Sequence, residues 1–269
     1  CIIPQQGADT GIIIGFSPPT SLDSAPLNTC LTLKHGIRTP VFSRAEDCYS
    51  NRTNVGTKFV SQSENVNLFI SENFSVNLRQ CVKLIKLIKD NSSAGLVQCE
   101  FDPFRRFDKM TLSDDANKIK DLPNAGGNSM VSEVLSYEML KRTFGAELHK
   151  TEMEVVYFPY GGAMTDYTCK LFDTTVGVSV TRAMKFSGEY TLEDAQRILN
   201  KKLHGVIRST QTSLEKWSKQ ILHIWAETKH AANYLTQAYD AISDVTKFNT
   251  VVLITVANHR KAPEIFYNK

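Results

Sequence analysis

The chain has 269 residues, of which 42% are hydrophobic and 22% are charged, so it can bury a full core and has the composition of an ordinary soluble globular protein. Its net charge of +3 permits a polyanionic partner without requiring one. The longest apolar run, Thr250 to Ala257, is much shorter than the roughly 18 residues of a membrane helix, so we expect no membrane span and no membrane partner.

The first 125 residues form a less regular region of short apolar pieces and Ser/Asn/Thr-rich loops. One helix is predicted here, from Val76 to Lys89, because its apolar residues follow helical spacing. Its lysines form a basic edge, which we interpret as a solvated face, with contact to nucleic-acid phosphates as the alternative. The polar segment from Asp114 to Asn128 contains Pro123 and two glycines, which predicts a linker.

The cysteines and glycosylation sequons of the chain carry little functional signal. Six cysteines are spread without a CxxC pair and without a histidine at ligand spacing, which disfavours a zinc site. Three N-x-S/T sequons, at Asn51, Asn73 and Asn91, fall in an Asn- and Ser-rich segment where chance explains them. We therefore favour an intracellular location over a secreted one.

Beyond residue 125 the pattern becomes regular and predicts an α/β fold, a mixed central sheet flanked by helices. We accordingly divide the chain into 1–125, of unclear role, and 126–269, the α/β domain. The first predicted element is a helix that Asn128 or Ser129 caps, that runs to about Phe144 and that Gly145 terminates. The elements predicted after it are two strands within Glu147–Phe158, strands Thr165–Phe172 and Thr175–Ala183, a helix capped by Thr191 with Asp194 at its third position and extending to about Ile207, a strand Ile221–Ala226, a helix Lys229–Ile242, and a strand Thr250–Ala257.

Asp166 stands at the head of the first of two strands that are joined by a tight turn. Side chains alternate along a strand, so Asp166 and Lys170 share one face, while Ser179 and Thr181 form a small polar face on the next strand. If the strands pair, Asp166 lies across from that face, which leaves room for a metal and a phosphate. A carboxylate is a suitable ligand for Mg²⁺. The alternative is an ordinary edge-strand aspartate beside a turn.

The two predicted helices that flank these strands add charged candidates. Glu138 falls on the buried face of the first helix, where a carboxylate needs a partner such as an arginine, a backbone donor or a metal. Glu133 lies off that face and can approach the sheet from its margin. Lys202 lies on the buried face of the second helix, where it can neutralise phosphate charge or extend to solvent. Arg208 and Gln211 follow near the end of that helix.

Residues from about 128 to 257 resemble the PD-(D/E)XK, or restriction-endonuclease-like, superfamily. The core of that superfamily is a helix, a three-strand meander, a helix and a further strand. The resemblance places the acidic residue of the family's helix at Glu133 or Glu138, and the aspartate of its second strand at Asp166. The family's (Glu/Gln)-x-Lys motif falls on Ser179-Val180-Thr181, where this chain departs from the pattern.

The resemblance implies a metal-dependent nuclease that hydrolyses phosphodiester bonds in DNA or RNA. In this reading Mg²⁺ is held by Asp166 and Glu133, and the cofactor lowers the pKa of a bound water. Some members of the superfamily carry the lysine on the neighbouring helix, where Lys202 lies. Lys202 or Lys170 would then stabilise the developing charge.

Arg182, Arg208 and Gln211 are the expected contacts to nucleic acid, which is the expected partner. Two alternatives stay open. The missing E-x-K motif favours a catalytically inactive version of the same fold that binds nucleic acid or a protein partner. The sequons and cysteines support a secreted, glycosylated interaction protein.

Overall fold

A computed structural model of the chain describes residues 13–15, 66–70, 72–123 and 129–267. At its centre is one mixed sheet with the strand order β1-β2-β3-β4-β9-β8-β7-β6-β5. The neighbouring pairs β4–β9, β9–β8 and β8–β7 are parallel, and the other neighbouring pairs are antiparallel. The strands are β1 Ile13–Gly15, β2 Val66–Ile70, β3 Phe74–Leu78, β4 Gly95–Pro103, β5 Glu147–Thr151, β6 Tyr167–Leu171, β7 Thr174–Ala183, β8 Lys219–Ala226 and β9 Thr250–Ala257.

Helices cover both faces of this sheet, which confirms the predicted α/β class. One face buries α1, α2, α3 and α7 in a core that includes Tyr167, Val178 and Trp225. The other face buries α4 and α5 against residues such as Leu222 and Ile254. The helices are α1 Cys81–Lys89, α2 Asp114–Asp121, α3 Met130–Phe144, α4 Leu192–Thr212, α5 Lys229–Asp240, α6 Asp244–Lys247 and α7 Pro263–Tyr267.

The ends of α3 and α4 agree with the signals in the sequence. Gly145 follows α3 with φ +70°, a left-handed conformation that glycine adopts without steric cost, and so ends the helix. Thr191 caps α4 by accepting a hydrogen bond from the Asp194 backbone N–H, and the Asp194 side chain returns to the Thr191 backbone. These caps fix where α3 and α4 stand against the sheet.

Three element predictions were wrong in their detail. The predicted helix from Val76 begins only at Cys81, because the preceding residues alternate between buried and half-buried and form β3. The predicted linker from Asp114 contains α2, which Ser113 caps by accepting from Ala116 N–H. Of the two strands expected within 147–158, only β5 forms, and a short 3₁₀ turn at Glu152–Glu154 follows it.

The domain boundary predicted near residue 125 has no counterpart in the sheet. Strand β4, which was not predicted, pairs in parallel with β9 over seven residue pairs, from Gly95↔Val251 to Phe101↔Ala257. The described residues on both sides of 125 therefore share one sheet and one apolar core.

The sequon at Asn73 is buried in this fold. Asn73 is 2% exposed. Its Nδ2 donates to the Thr111 carbonyl at 2.8 Å, and its Oδ1 accepts from Thr111 N–H at 3.1 Å. Attachment of a glycan to Nδ2 is incompatible with these contacts. Asn91 is exposed, and Asn51 lies outside the described residues.

Candidate active site

The candidate site lies where the pairing of β6 with β7 stops. The last residue pair is Tyr167↔Val178, whereas β7 continues to Ala183, where β8 is its one strand neighbour among the described residues. The backbone N–H of Val180 is thus left without a strand partner. Asp166, just before β6, accepts from that N–H with Oδ2 at 2.7 Å. This hydrogen bond holds the carboxylate at the fork between the strands.

A pocket of about 470 Å³ opens at this fork, and it brings together most of the charged residues that the sequence singled out. Its walls come from α3, the 3₁₀ turn after β5, the loop before β6, β7 and α4. The lining residues include Ser132, Glu133, Glu152, Gly162, Ala163, Met164, Asp166, Ser179, Val180, Thr181, Arg182, Lys201, Lys202 and Gly205.

Two carboxylates share the interior of the pocket. Glu133, on α3, is only 4% exposed. Burial and the negative charge of Glu133 raise the pKa of Asp166 well above its usual value, while the Val180 N–H and the charge of Lys202 act in the opposite direction. Glu152 adds a smaller repulsion. The charge of Glu133 therefore opposes the ionisation of Asp166.

Cationic side chains enter the same pocket from β7 and α4. Arg182 donates to the carbonyls of Ile265 and Phe266, and burial lowers its pKa while the charge of Glu133 acts against that shift. Lys202 lines the pocket from α4, as its helical phase suggested. Lys201, which the sequence analysis did not select, is exposed and lines the pocket as well.

Ser179 and Thr181 line the floor on the same face of the sheet as Asp166. Ser179 is 6% exposed, and its Oγ lies 3.4 Å from Thr165 Oγ1, which also donates to the Val178 carbonyl. Two hydroxyls therefore occupy the positions where the E-x-K pattern would carry an acid and a lysine. The pocket holds hydrogen-bonding groups there and no charge.

A buried polar chain fixes α3 over the strands. His223 on β8 contacts Ser136 Oγ through Nδ1 and Thr255 Oγ1 through Nε2, each at 2.7 Å, and Ser136 Oγ lies 2.7 Å from the Tyr167 hydroxyl. Burial lowers the pKa of His223 to about 3, so the ring is neutral at physiological pH. Ser136 lies three residues after Glu133, so this chain also sets the position of Glu133 over the fork.

Four candidate residues lie outside the pocket. Glu138 is fully buried, where it accepts from Ser113 N–H and Oγ and from Arg142 Nε, and thereby joins α2 to α3. Glu138 is therefore buried for a structural reason. The helical phase predicts only that it is buried, so it could not distinguish this structural role from a role in a functional site. The other three are Lys170, which pairs with Asp173 at the β6–β7 turn, and Arg208 and Gln211, which are exposed on α4 beyond the pocket.

Asp166 and Glu133 are the carboxylates best placed to hold a cation. Among the described residues, no cluster of three or more His, Cys, Asp or Glu side chains has the arrangement of a metal site. Asp166 Oδ1 and the Glu133 oxygens accept no hydrogen bond within the described part of the chain. The pocket thus offers two acidic groups with free acceptor positions and two lysines beside them.

The loop before β6 is supported by a small apolar cluster of its own. Trp217 packs with Val155 and Tyr157, and its Nε1 donates to Thr210 Oγ1 at 3.0 Å. The indole covers Gly177 so closely that a Cβ on that glycine would lie 2.8 Å from the ring. Since Gly177 shares the sheet face of Ser179, this cluster holds the loop wall of the pocket against β7.

No helix within the described ranges is long and apolar enough to cross a membrane.

The chain is similar to the AAC-rich mRNA clone AAC4 protein of Dictyostelium discoideum, with 36% identity over 189 residues. The similarity covers 67% of this chain and 27% of that protein, so the chain spans about a quarter of its relative's length. No protein-family model and no solved structure matches the chain. The name of the relative states no activity, so the geometry of the pocket has to carry the functional argument.

Proposed function

We propose that this chain is a divergent nuclease of the PD-(D/E)XK type that hydrolyses phosphodiester bonds in DNA or RNA with Mg²⁺. One observation carries the proposal: Asp166 and Glu133 meet Lys202 in a single pocket at the fork of β6 and β7. The three residues come from different parts of the fold, and the resemblance implies a role in catalysis for each of them. A purely structural salt bridge to Lys202 would need one carboxylate and would not need both Asp166 and Glu133, whose negative charges repel each other.

A magnesium ion fits the residues that are present. Mg²⁺ keeps several of its waters and is commonly held by one or two carboxylates together with phosphate oxygens of the substrate. Asp166 and Glu133 supply two carboxylates, and the repulsion between them is relieved when a cation joins them. When bound, the ion would polarise the phosphodiester and lower the pKa of a water.

The remaining pocket residues have roles that suit a phosphate. Lys202 and Lys201 place positive charge where a phosphate oxygen gains charge during hydrolysis. The hydroxyls of Ser179 and Thr181 can donate hydrogen bonds to the same group. Val180 N–H keeps Asp166 oriented at the fork, so that Oδ1 stays available.

A second candidate function is nucleic-acid binding without cleavage, and the composition of the pocket floor favours it. Ser179 and Thr181 carry no charge where the family pattern has an acid and a lysine. An inactive relative could retain the lysines for phosphate binding. A protein partner remains a further alternative of this kind. The secreted, glycosylated alternative loses one of its sequons, because Asn73 is buried.

A cleavage assay separates the candidates. Purified protein is incubated with plasmid and with single-stranded substrates in Mg²⁺, in Mn²⁺ and in EDTA. We expect metal-dependent cutting that falls at least about 100-fold in Asp166→Asn and in Glu133→Gln, since each removes a charged group at the reacting centre. Asp173→Asn and Glu147→Gln, which alter exposed acids outside the pocket, are the matched controls and should cut normally.

The outcomes are distinct for the two functions. Cutting that persists in Asp166→Asn would remove the assignment of the site. Wild-type protein that shifts nucleic acid in a gel at low salt, with or without EDTA, and never cuts it would establish the binding function instead.

A further inference from the structure

The loop that precedes β6 displays two aromatic rings to solvent. Phe158 is 76% exposed and Tyr160 is 90% exposed, which is unusual for side chains of this size. Both ends of the loop are held: Phe158 N–H donates to the Thr212 carbonyl at 2.8 Å, and Thr165 N–H donates to the Tyr157 hydroxyl at 2.8 Å. The rings are therefore presented from a loop with fixed ends.

This loop runs alongside α4 from the last turn of the helix back to the pocket. Phe158 is bonded to Thr212 in the last turn. Ala163, five residues further on, lies 3.6 Å from the place where a Cβ on Gly205 would stand, and it lines the pocket. Thr212 and Gly205 are seven residues apart, which is about 10 Å along a helix. Phe158 and Tyr160 thus lie on the stretch of loop that connects the C-terminal end of α4 to the pocket.

Basic side chains follow the same line on α4. Lys201, Gly205, Arg208 and Thr212 are spaced by four, three and four residues and so share one face of the helix. No carboxylate of the described residues lies within 4.0 Å of the amines of Lys201 and Lys202 or of the Arg208 guanidinium. Most other exposed lysines and arginines of α4 and its neighbours are paired, as Arg197 is with Asp194. The positive charge of this line is therefore available to an anionic partner.

We propose that this loop and this face of α4 form a binding track for single-stranded nucleic acid. Unpaired bases stack on Tyr160 and Phe158, and the phosphates lie along Arg208, Lys202 and Lys201 toward Asp166. Exposed aromatic rings beside a basic groove are the combination that single strands recognise, because every unpaired base offers a π-face. That the single strand is a substrate rests on the proposed nuclease function, whereas binding of the strand can be measured without cleavage.

The aromatic rings also decide against a duplex as the partner. In a duplex the faces of the bases are stacked on one another, so a ring can reach them only after a base has been extruded, at a cost of a few kcal/mol. A duplex would use the lysines and leave Phe158 and Tyr160 without a role. A single strand uses both sets of side chains.

Anisotropy of a labelled oligonucleotide tests the track in EDTA, where metal-dependent cleavage is suppressed. The full chain is titrated into a single-stranded oligonucleotide and into the duplex of the same sequence. We expect the single strand to bind at least about tenfold more tightly. Tyr160→Ala should weaken that binding by about five- to a hundredfold, as loss of one stacked base does.

Three variants isolate stacking from general effects. Tyr160→Phe keeps the ring and should bind normally, whereas Tyr160→Leu keeps apolar bulk and should bind as weakly as the alanine variant. Phe104→Ala removes a half-exposed ring just after β4, a strand that β9 and β8 separate from β7, and should change nothing. The logarithm of the affinity falls linearly with the logarithm of the salt concentration. Arg208→Gln should make this slope less steep by about 0.7, the value for one phosphate contact in a single strand.

Equal or tighter binding of the duplex, or normal binding by Tyr160→Ala, would overturn the track. Neither result touches the nuclease assignment, which is decided by cutting in Mg²⁺. Single-strand binding that needs Tyr160 but is never followed by cutting would support the track and defeat the nuclease. A chain that binds neither oligonucleotide overturns the track and points to a protein partner for the exposed rings.

Discussion

Replacing Asp166 by asparagine tests the electrostatics of the pocket through stability. In the folded chain, burial and Glu133 raise the pKa of this carboxyl above its unfolded value of about 3.9. The native state therefore binds more protons than the unfolded state between the two pKa values, so the free energy of unfolding falls as the pH rises through that window. Within that window the free energy of unfolding falls by about 1.4 kcal/mol for each unit of pH.

The size of the effect follows from what asparagine keeps and loses. In the wild type, Asp166 accepts a hydrogen bond from Val180 N–H at 2.7 Å, and the Oδ1 of the asparagine can still accept it. This hydrogen bond is weaker by about 0.5–1.5 kcal/mol, because the acceptor is neutral instead of charged. The repulsion from Glu133 disappears altogether. We expect Asp166→Asn to be more stable than wild type by about 1–2 kcal/mol at pH 7.5, a common gain when a strained site is relieved. The melting temperature should rise by about 2–6 °C.

Urea denaturation at pH 7.5 and at pH 4.5, both in EDTA, measures this gain. The gain should be smaller at pH 4.5 than at pH 7.5, because the raised pKa lets the folded wild-type carboxyl take up protons more readily than the unfolded one as the pH falls. Asp173→Asn is the control: Lys170 lowers the pKa of that exposed carboxyl, so its loss should destabilise slightly and with the opposite pH dependence. An Asp166→Asn protein that is less stable at pH 7.5, or equally stabilised at both pH values, would refute the argument.

Magnesium should reduce the stability difference between Asp166→Asn and the wild type. A ligand that binds only the native state stabilises it by about 1.4 kcal/mol at ten times its dissociation constant. We expect Mg²⁺ to stabilise the wild type and to leave Asp166→Asn unchanged. This readout does not depend on cleavage, so it tests the cation site even if the chain proves inactive.

Two further predictions concern the core around the site. Gly177→Ala should destabilise the chain by about 1–3 kcal/mol and alter Trp217 fluorescence, because a Cβ would lie 2.8 Å from that indole. An unchanged midpoint of urea denaturation would show that the ring can move away at little cost. Burial raises the pKa of the Cys99 and Cys169 thiols to about 12. At pH 8 both should therefore react with iodoacetamide only as fast as the chain unfolds, as measured by mass mapping of labelled peptides. Rapid labelling of either thiol in the native protein would contradict their burial.

The parts of the fold that could be predicted are those with local signals. Helix α3 ends at a glycine, α4 begins with a capping box, and β9 is a strand-length run of mostly apolar residues. Strand β4 has no such signal, because its place is decided by pairing with β9, about 150 residues later in the sequence. Helix α2 is short and polar, so only the Ser113 cap and two buried residues distinguish it from a linker.

The site was predictable to the extent that side-chain direction follows from periodicity. Strand alternation placed Asp166 opposite Ser179, and the helical phase turned Lys202 inward. Periodicity shows that a residue is buried and does not show what it meets, which is why Glu138 resembled a site residue while it actually joins Ser113 and Arg142. Lys201 was missed because the pocket is open to solvent, so even an exposed side chain can line its rim.

The central place of β9 in the sheet governs how the chain can assemble. This strand comes last in the sequence among the nine strands of the described sheet, yet it lies between β4 and β8 and pairs with both. During synthesis, strands β1 to β4 and strands β5 to β8 must therefore remain two separate pieces, each with an unpaired apolar edge, until residues 250–257 emerge. Such edges are templates for aggregation. A nascent chain that stalls before β9 should need protection of those two edges, and truncation there should yield insoluble protein.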